Sequence, residues 1–244
     1  GPFIQMPAAL SYPMNMPRYD WGNKAEPEDS LNGRALVCPR GKVIGGSSSI
    51  NGMIYVRGNA GDYDHWQDAG AHGWSYADVL PYFRRMETSH GGEAPWRGTD
   101  GPLHITRGPR DNPLHDAFVS ATTQAGYTTT SDYNGGRQEG FGPADMTVYK
   151  GRRWSSANAY LKPAMKRGNV TLMTGALVER LLFDGTRCIG VRFWHNGKQQ
   201  DILAGKDVIL SAGAIGSPAI LQRSGIGPAK LLRSHGIDVI ADRA

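Results

Sequence analysis

Arg40-Gly41-Lys42-Val43-Ile44-Gly45-Gly46-Ser47-Ser48-Ser49-Ile50-Asn51-Gly52-Met53-Ile54-Tyr55 is the stretch on which the fold turns. Adjacent glycines and a run of serines between apolar flanks describe a tight loop clamped by buried segments. Glycine adopts backbone conformations closed to other residues, and it lets N–H groups come close to an electron-rich partner. A flexible linker is the other reading of Gly-Gly-Ser-Ser-Ser. Linkers, however, are not pinned by Val43-Ile44 before and by the apolar run from Ile50 to Val56 after. The stretch therefore reads as a cofactor loop.

Upstream of it, Pro2, Pro7, Pro13, Pro17, Pro27 and Pro39 alternate with polar turns such as Pro13-Met14-Asn15-Met16-Pro17 and Glu26-Pro27-Glu28-Asp29, and no amphipathic period survives. Residues 1–41 are expected to form an extended arm or lid, and the leading Gly1-Pro2 is compatible with a protease-cleavage scar. Downstream, residues 42–100 form the segment bearing the loop, with two short helices around Asp62 to Trp66 and Gly73 to Met86. Ser75 with Asp78 reads as a capping pair, and Pro81 is expected to break or kink the second helix. Residues 102–106 read as a short strand with Leu103 and Ile105 on one face, and Asn112-Pro113 opens a helix with Leu114, Phe118 and Ala121 as its apolar positions, stopped by Gly126. A second helix is expected from Ser155 to Lys166, kinked near Pro163 and stopped by Gly168.

From residue 170 the period changes to strands, expected at 170–173, 176–183, 188–194 and 199–203. Asp184-Gly185 and Asn196-Gly197 are hairpin turns, which makes this part an antiparallel meander. A further strand at 207–210 leads into Ala212-Gly213-Ala214-Ile215-Gly216-Ser217-Pro218. Here Ser217 and Pro218 are expected to open a helix through Leu221, with a further helical turn at 229–234 and a last strand at 237–240. A glycine turn between strand and helix is either a nucleotide site or an ordinary connection.

With 244 residues and 39% hydrophobic content the chain can bury a real core. The 33 glycines and 15 prolines have no period and indicate many turns, so the class is mixed α/β (α+β). The formal charge of +5 suits an anionic cofactor as well as nucleic acid, but the basic patches Lys150-Gly151-Arg152-Arg153 and 162–167 are short and read as solvated faces. No nucleic-acid partner is expected. Cys38 and Cys188 stand apart outside any Cys-x-x-Cys pair, which fits reduced thiols in a cytoplasmic protein. Neither a membrane-spanning run nor a signal peptide is evident, so membrane contact is expected to be peripheral. The seven histidines form no His-Glu-x-x-His and no close pair suited to zinc. No metal site is expected, and no Gly-x-Ser-x-Gly elbow is present. His104, in a predicted strand, is a possible general base but reads more simply as structural.

Residues 41–51 with Tyr55 and Asp64, together with 213–227, resemble the two signature segments of the glucose-methanol-choline (GMC) family of flavin-dependent alcohol oxidoreductases. Gln5-Met6-Pro7-Ala8-Ala9-Leu10, Asn51-Gly52-Met53 and Gln138-Glu139-Gly140-Phe141-Gly142-Pro143 are most similar to its choline-oxidising bacterial branch. The resemblance implies FAD and hydride transfer from a carbinol carbon to the flavin. Choline would become betaine aldehyde and, through the aldehyde hydrate, glycine betaine. It places Gly45, Gly46, Ser47, Ser48, Asn51, Gly52, Met53 and Ile54 against the flavin, the backbone of Val178 at the adenine, and Ala212-Gly213 beside the nucleotide. Val178 reads equally well as a core strand valine. Ile50 stands where covalently flavinylated members carry histidine, so non-covalent FAD is expected. Trp21 resembles an aromatic residue facing choline's trimethylammonium group, a contact worth about 0.5–2 kcal/mol, and packing in a lid is its other reading. The resemblance also implies an electron acceptor in the membrane, a quinone or another chain component.

By the same resemblance, residues 101–157 belong to a substrate-binding domain and 158–244, with the meander, to part of the FAD-binding domain. The Gly-x-Gly-x-x-Gly turn of that domain does not precede the arm, and the family's catalytic histidine would fall beyond residue 244. The chain is therefore expected to be an internal fragment, and no catalytic residue is assigned. Two other functions stay open: a dehydrogenase for aliphatic or other primary alcohols, and, for the isolated chain, a non-catalytic module holding an incomplete flavin surface.

Overall fold

The computed structural model describes residues 1–14, 16–108 and 111–243; Asn15, Pro109, Arg110 and Ala244 lie outside the described residues. The chain divides into two compact units, 1–170 and 171–244. Its class is mixed α+β, with small sheets and, among the described residues, no barrel.

The first unit opens differently from the extended arm expected at its start. Single-turn helices α1 (Pro2–Gln5) and α2 (Ser11–Met14) flank a 3-10 turn at Pro7–Ala9. Pro2 and Pro7 occupy first-turn positions, where the missing N–H costs nothing, and Ile4, Ala9 and Pro13 are buried. The arm proper begins later. Residues 20–41 form an irregular antiparallel excursion, bridged at Asp20–Gly41, Lys24–Val37 and Glu28–Arg34.

Helix α3 (Ala60–Asp68) is capped by Asn59, and α4 (Tyr76–Met86) by the Ser75–Asp78 capping box. Pro81 lies inside α4 without breaking it. The carbonyl it deprives of a partner belongs to Ala77, which is exposed and can meet water. Strand β1 (Glu87–His90) pairs parallel with β2 (Leu103–Arg107), and β2 pairs antiparallel with β3 (Asp145–Met146). Ile105 on β2 is buried as its alternation implies. Helix α5 (Pro113–Gln124) takes its cap from Asn112, 3.0 Å from the Leu114 N–H, while Leu114 and Phe118 are exposed. Strands β4 (Val148–Tyr149) and β5 (Arg152–Arg153) form a hairpin whose turn residues, Lys150 and Gly151, both have positive φ. A π-type turn at Ala157–Leu161 runs into α6 (Lys162–Met165).

In the second unit β6 (Leu177–Asp184), β7 (Arg187–His195) and β8 (Lys198–Leu203) make the expected antiparallel meander. Asn196 and Gly197 both have positive φ and turn β7 into β8. No strand forms at 170–173 or 207–210. Neither run has a ladder partner among the described residues, and Ile209 is 87% exposed. Helix α7 (Gly213–Arg223) starts four residues ahead of the expected cap. Ser217 lies inside it and accepts a hydrogen bond from the Ala212 N–H at 3.0 Å, so the serine closes the first turn from within. After α8 (Ala229–Ser234), the last pairing is β9 (Ile226–Gly227) with β10 (Ala241–Asp242), displaced from the expected 237–240. Leu181, Phe193, Ile220 and Leu232 fill this unit's core.

Candidate functional site

The Gly/Ser stretch folds as a 3-10 turn at Gly46–Ser49, entered through Gly45 and Gly46 at φ 92° and 54°. Two of its glycines are needed for close approach. A Cβ on Gly41 would lie 2.2 Å from the Gly46 carbonyl oxygen, and one on Gly45 would lie 2.5 Å from Ser49 Oγ. On the other side the loop is open, since a Cβ on Gly46 or Gly52 would meet no atom within 4 Å. The serines divide the same way. Ser49 Oγ donates to the Ile44 carbonyl at 2.8 Å, and Ser48 Oγ is engaged by the Gly45 carbonyl and by the Ser156 N–H and hydroxyl. Ser47 is exposed and accepts from the Gly41 N–H at 3.1 Å, which leaves its own proton for an outside acceptor.

Past the turn, Met53 adopts φ 65°, uncommon for a residue with a side chain, while its thioether is buried. Tyr55 N–H donates to the Asp145 carbonyl at 2.9 Å and Thr147 N–H to the Met53 carbonyl at 2.8 Å. In such an antiparallel bridge the intervening residue, Ile54, turns its own N–H and C=O to the opposite, open edge. Asn51 Oδ1 accepts from Met53 N at 3.1 Å and from Arg153 Nη1 at 2.8 Å. Both neighbours are donors, so the amide oxygen must face inward. The exposed Asn51 then presents Nδ2, a donor, on the open side. Ile50, at the loop's end, is 1% exposed.

Behind the loop's exit lies a buried ion network. Glu87 accepts from Arg57 Nη2 at 2.9 Å and Arg97 Nε at 2.7 Å, and Arg97 Nη1 reaches Asp132 and Asp145, each at 2.7 Å. Arg107 completes it at 3.1 Å from Asp145. Three guanidiniums thus balance three carboxylates. Burial pulls the Arg97 pKa down, but its hydrogen bonds to Glu87 and Asp145 and the charges of Glu87 and Asp132 outweigh it, so the net shift is upward. Burial and the Glu87 charge push the Tyr55 phenol above its ordinary range. Asn134 Nδ2 and Tyr133 Oη both donate to the Tyr55 carbonyl at 3.0 Å, tying the network to the loop's exit strand.

In the second unit, the Val178 carbonyl is 3.5 Å from Arg223 Nη2, at the far end of α7 from Gly213. Gly213 has φ 84° with open space where a Cβ would be, and Ala212 caps the helix. Trp21, 51% exposed, has the Lys42 ammonium 5.0 Å from its ring centroid, so its face already receives a cation from within the chain. His104 stacks on Tyr149 at 3.8 Å between centroids, and its Nδ1 lies 3.0 Å from His90 Nε2. Burial, with the charges of His90 and Lys150, holds its pKa below the usual histidine range. No group of three or more metal-ligating side chains occurs among the described residues.

Residues 19–237 match the family model described as GMC oxidoreductase. The chain belongs to the GMC oxidoreductase family. Over its whole length it is 60% identical to oxygen-dependent choline dehydrogenase of Brucella anthropi, and it spans 44% of that relative's length. Pyridoxine 4-oxidase from Mesorbium loti superposes with a TM-score of 0.93 at 33% identity, over 100% of this chain and 48% of that one. An FAD-dependent oxidoreductase from Chaetomium thermophilum gives 0.91 at 31% identity, over 99% and 44%.

The GMC loop's donor set fits a flavin. Its open face combines two glycines without Cβ obstruction, the Asn51 Nδ2 donor, the Ser47 hydroxyl and the free backbone edge of Ile54. Of the serines expected to serve as donors, Ser48 instead staples the loop to Ser156. Sequence reasoning missed Arg153, which is not on a solvated face as its basic patch suggested but is 0% exposed behind the loop. The signal was present. A two-residue turn at Lys150-Gly151 makes flanking residues alternate, which puts Arg152 outside and Arg153 inside. The ion network left no local signal, because its members are scattered from residue 57 to 145.

Proposed function

We propose that this chain supplies the flavin-facing loop and part of the substrate domain of an FAD-dependent alcohol dehydrogenase that oxidises choline to betaine aldehyde. The observation that carries the reading is the open face of residues 46–54, where backbone and the Asn51 amide converge without obstruction. The identity to a choline dehydrogenase across the whole chain supports the substrate. FAD, when bound, accepts the hydride from the alcohol carbon while the hydroxyl proton goes to a base. Gly45, Gly46, Ser47, Asn51, Gly52, Met53 and Ile54 form its wall, with Ser48 fixing the wall's shape. Val178, Ala212 and Gly213 are the residues proposed for its nucleotide end. Attachment is non-covalent: Ile50 is buried and carries no nucleophilic atom.

Residues 42–100 are the proposed flavin-facing segment, 101–157 substrate domain, and 158–244 part of the FAD domain. Trp21 is the proposed contact for the trimethylammonium group, which would compete with Lys42 for the ring. The acceptor is proposed to be a quinone or other component of a bacterial membrane, approached from the cytoplasm. No helix among the described residues is long and apolar enough to cross a membrane, which suits a peripheral approach. The Brucella relative's name specifies oxygen. Comparing turnover in air with anaerobic turnover on a quinone analogue decides the acceptor.

The function is tested with the full-length protein and a redox dye, comparing choline with straight-chain primary alcohols. Faster oxidation of the straight-chain alcohols would overturn the choline assignment. Trp21→Ala is expected to raise the choline KM several-fold, the loss of about 0.5–2 kcal/mol. An unchanged KM removes Trp21 from the site. Yellow colour that remains with acid-precipitated protein would overturn non-covalent attachment.

A further inference from the structure

Arg153 is wholly buried, and no carboxylate pairs with it among the described residues. Its partners are neutral oxygens: the Ile4 carbonyl at 2.9 Å from Nε, and from Nη1 the Asn51 carbonyl at 2.7 Å, Asn51 Oδ1 at 2.8 Å and the Ser48 carbonyl at 3.3 Å. Nη2 is buried and has no hydrogen-bond partner among the described residues. The contrast within the same unit is sharp, since Arg57, Arg97 and Arg107 are all matched by carboxylates. An uncompensated buried charge costs several kcal/mol. A clamp between the N-terminal turn and the loop would need only neutral donors. The positive charge asks for a separate explanation.

The geometry points to Arg153 as a positioning residue for the cofactor, acting through Asn51. This role rests on the reading of the loop as a flavin wall. Arg153 Nη1 and Met53 N both donate to Asn51 Oδ1, which fixes the amide so that Nδ2 faces the open side. A cation bonded to the amide oxygen also draws electron density from the nitrogen, making its N–H a stronger donor. An electron-rich ring on the open face is therefore held more tightly, and more so when it gains negative charge.

The test uses the full-length protein carrying Arg153→Met, Arg153→Lys, Asn51→Leu, and Arg153→Met with Asn51→Leu together. FAD affinity is read by titrating apoprotein, and the oxidised–reduced equilibrium of bound flavin is read against a reference dye without substrate. Arg153→Met is expected to weaken FAD about tenfold and to shift the dye equilibrium about tenfold against reduced flavin, the usual worth of a charge-assisted hydrogen bond. Arg153→Lys, keeping the charge, recovers most of the dye equilibrium, which a merely structural clamp would not require. In the Asn51→Leu background the Arg153→Met effect on that equilibrium largely vanishes. Folded Arg153→Met protein within twofold of the parent in both readouts overturns the inference. If Arg153→Met does not fold, the exposed Asn51→Leu and the charge-keeping Arg153→Lys decide: an unchanged dye equilibrium in Asn51→Leu, or one in Arg153→Lys as far from the parent's as that of Asn51→Leu, overturns it equally. Failure of the parent protein to bind FAD sinks the flavin reading itself, whereas bound flavin indifferent to these variants defeats only the role of Arg153.

Discussion

Replacing Glu87 by glutamine removes one charge from the ion network and little volume. In the parent, Glu87 Oε1 accepts from Arg57 Nη2, Arg97 Nε and the Gly98 N–H at 2.9, 2.7 and 3.1 Å, with no exposure to solvent. Each guanidinium at such range attracts the carboxylate by roughly 4 kcal/mol at an effective dielectric near 20. Part of that gross attraction is offset by the carboxylate's own desolvation, and the amide oxygen retains one acceptor. The net loss expected for breaking a buried pair is about 3–5 kcal/mol. Hydrogen exchange on the full-length protein reads this locally. Amides near Gly98, Asn134 and Tyr55, which the network holds, should exchange faster by roughly two to four orders of magnitude. Asp201→Asn is the control. It breaks only the exposed pair with Arg192 on the meander and should leave exchange near the parent's. Protection at the three sites within threefold of the parent after Glu87→Gln would refute the view that paired charges, rather than packing alone, hold the loop's exit strand.

The two glycines facing each other across the loop should separate folding from binding. Gly41→Ala puts a methyl 2.2 Å from the Gly46 carbonyl and should cost about 1–3 kcal/mol in apoprotein melting, whereas Gly46→Ala meets open space. The latter pays only for its φ of 54°, about 1 kcal/mol, yet should weaken FAD in a titration because the methyl stands on the open face. For His104 the folded pKa lies below the unfolded one, so the unfolded chain takes up its proton first as pH falls. Stability should therefore decline as pH drops through the unfolded value of about 6.5, and the loss should be complete below the folded value. His104→Gln should flatten that slope in melting curves between about pH 5 and 8.

What was legible in the sequence was whatever local chemistry decides. The capping box at Ser75 and Asp78, the cap at Asn112 and the Asn196-Gly197 turn all form as read, because each depends on residues at most a few positions apart. The misreadings share a different cause. Val208, Ile209 and Leu210 have the composition of a strand, but a strand exists only by pairing, and no described segment offers a ladder. Pro2, Pro7 and Pro13 suggest an extended arm, whereas the first two start short helical turns. In the loop, glycine spacing announced the open face, since Gly46 and Gly52 are conspicuous in sequence. Its support was silent, because Ser156 and Arg153 lie about a hundred residues away.

Arg152 and Arg153 put that distinction to its sharpest test. They are adjacent and identical, so composition and net charge cannot separate them, and any difference must come from the alternation of a strand pinned by the Lys150-Gly151 turn. Arg152 is exposed, and Arg152→Ala should change stability by no more than about 0.5 kcal/mol. Arg153→Ala should do much more: it frees the Ile4, Ser48 and Asn51 carbonyls from their shared donor and leaves a void the size of a guanidinium. With buried acceptors unsatisfied, each at about 1–3 kcal/mol, melting of the full-length protein should fall by several degrees. Equal melting temperatures for the two variants would mean that the hairpin register does not bury Arg153, and the orientation assigned to the Asn51 amide would lose its cause.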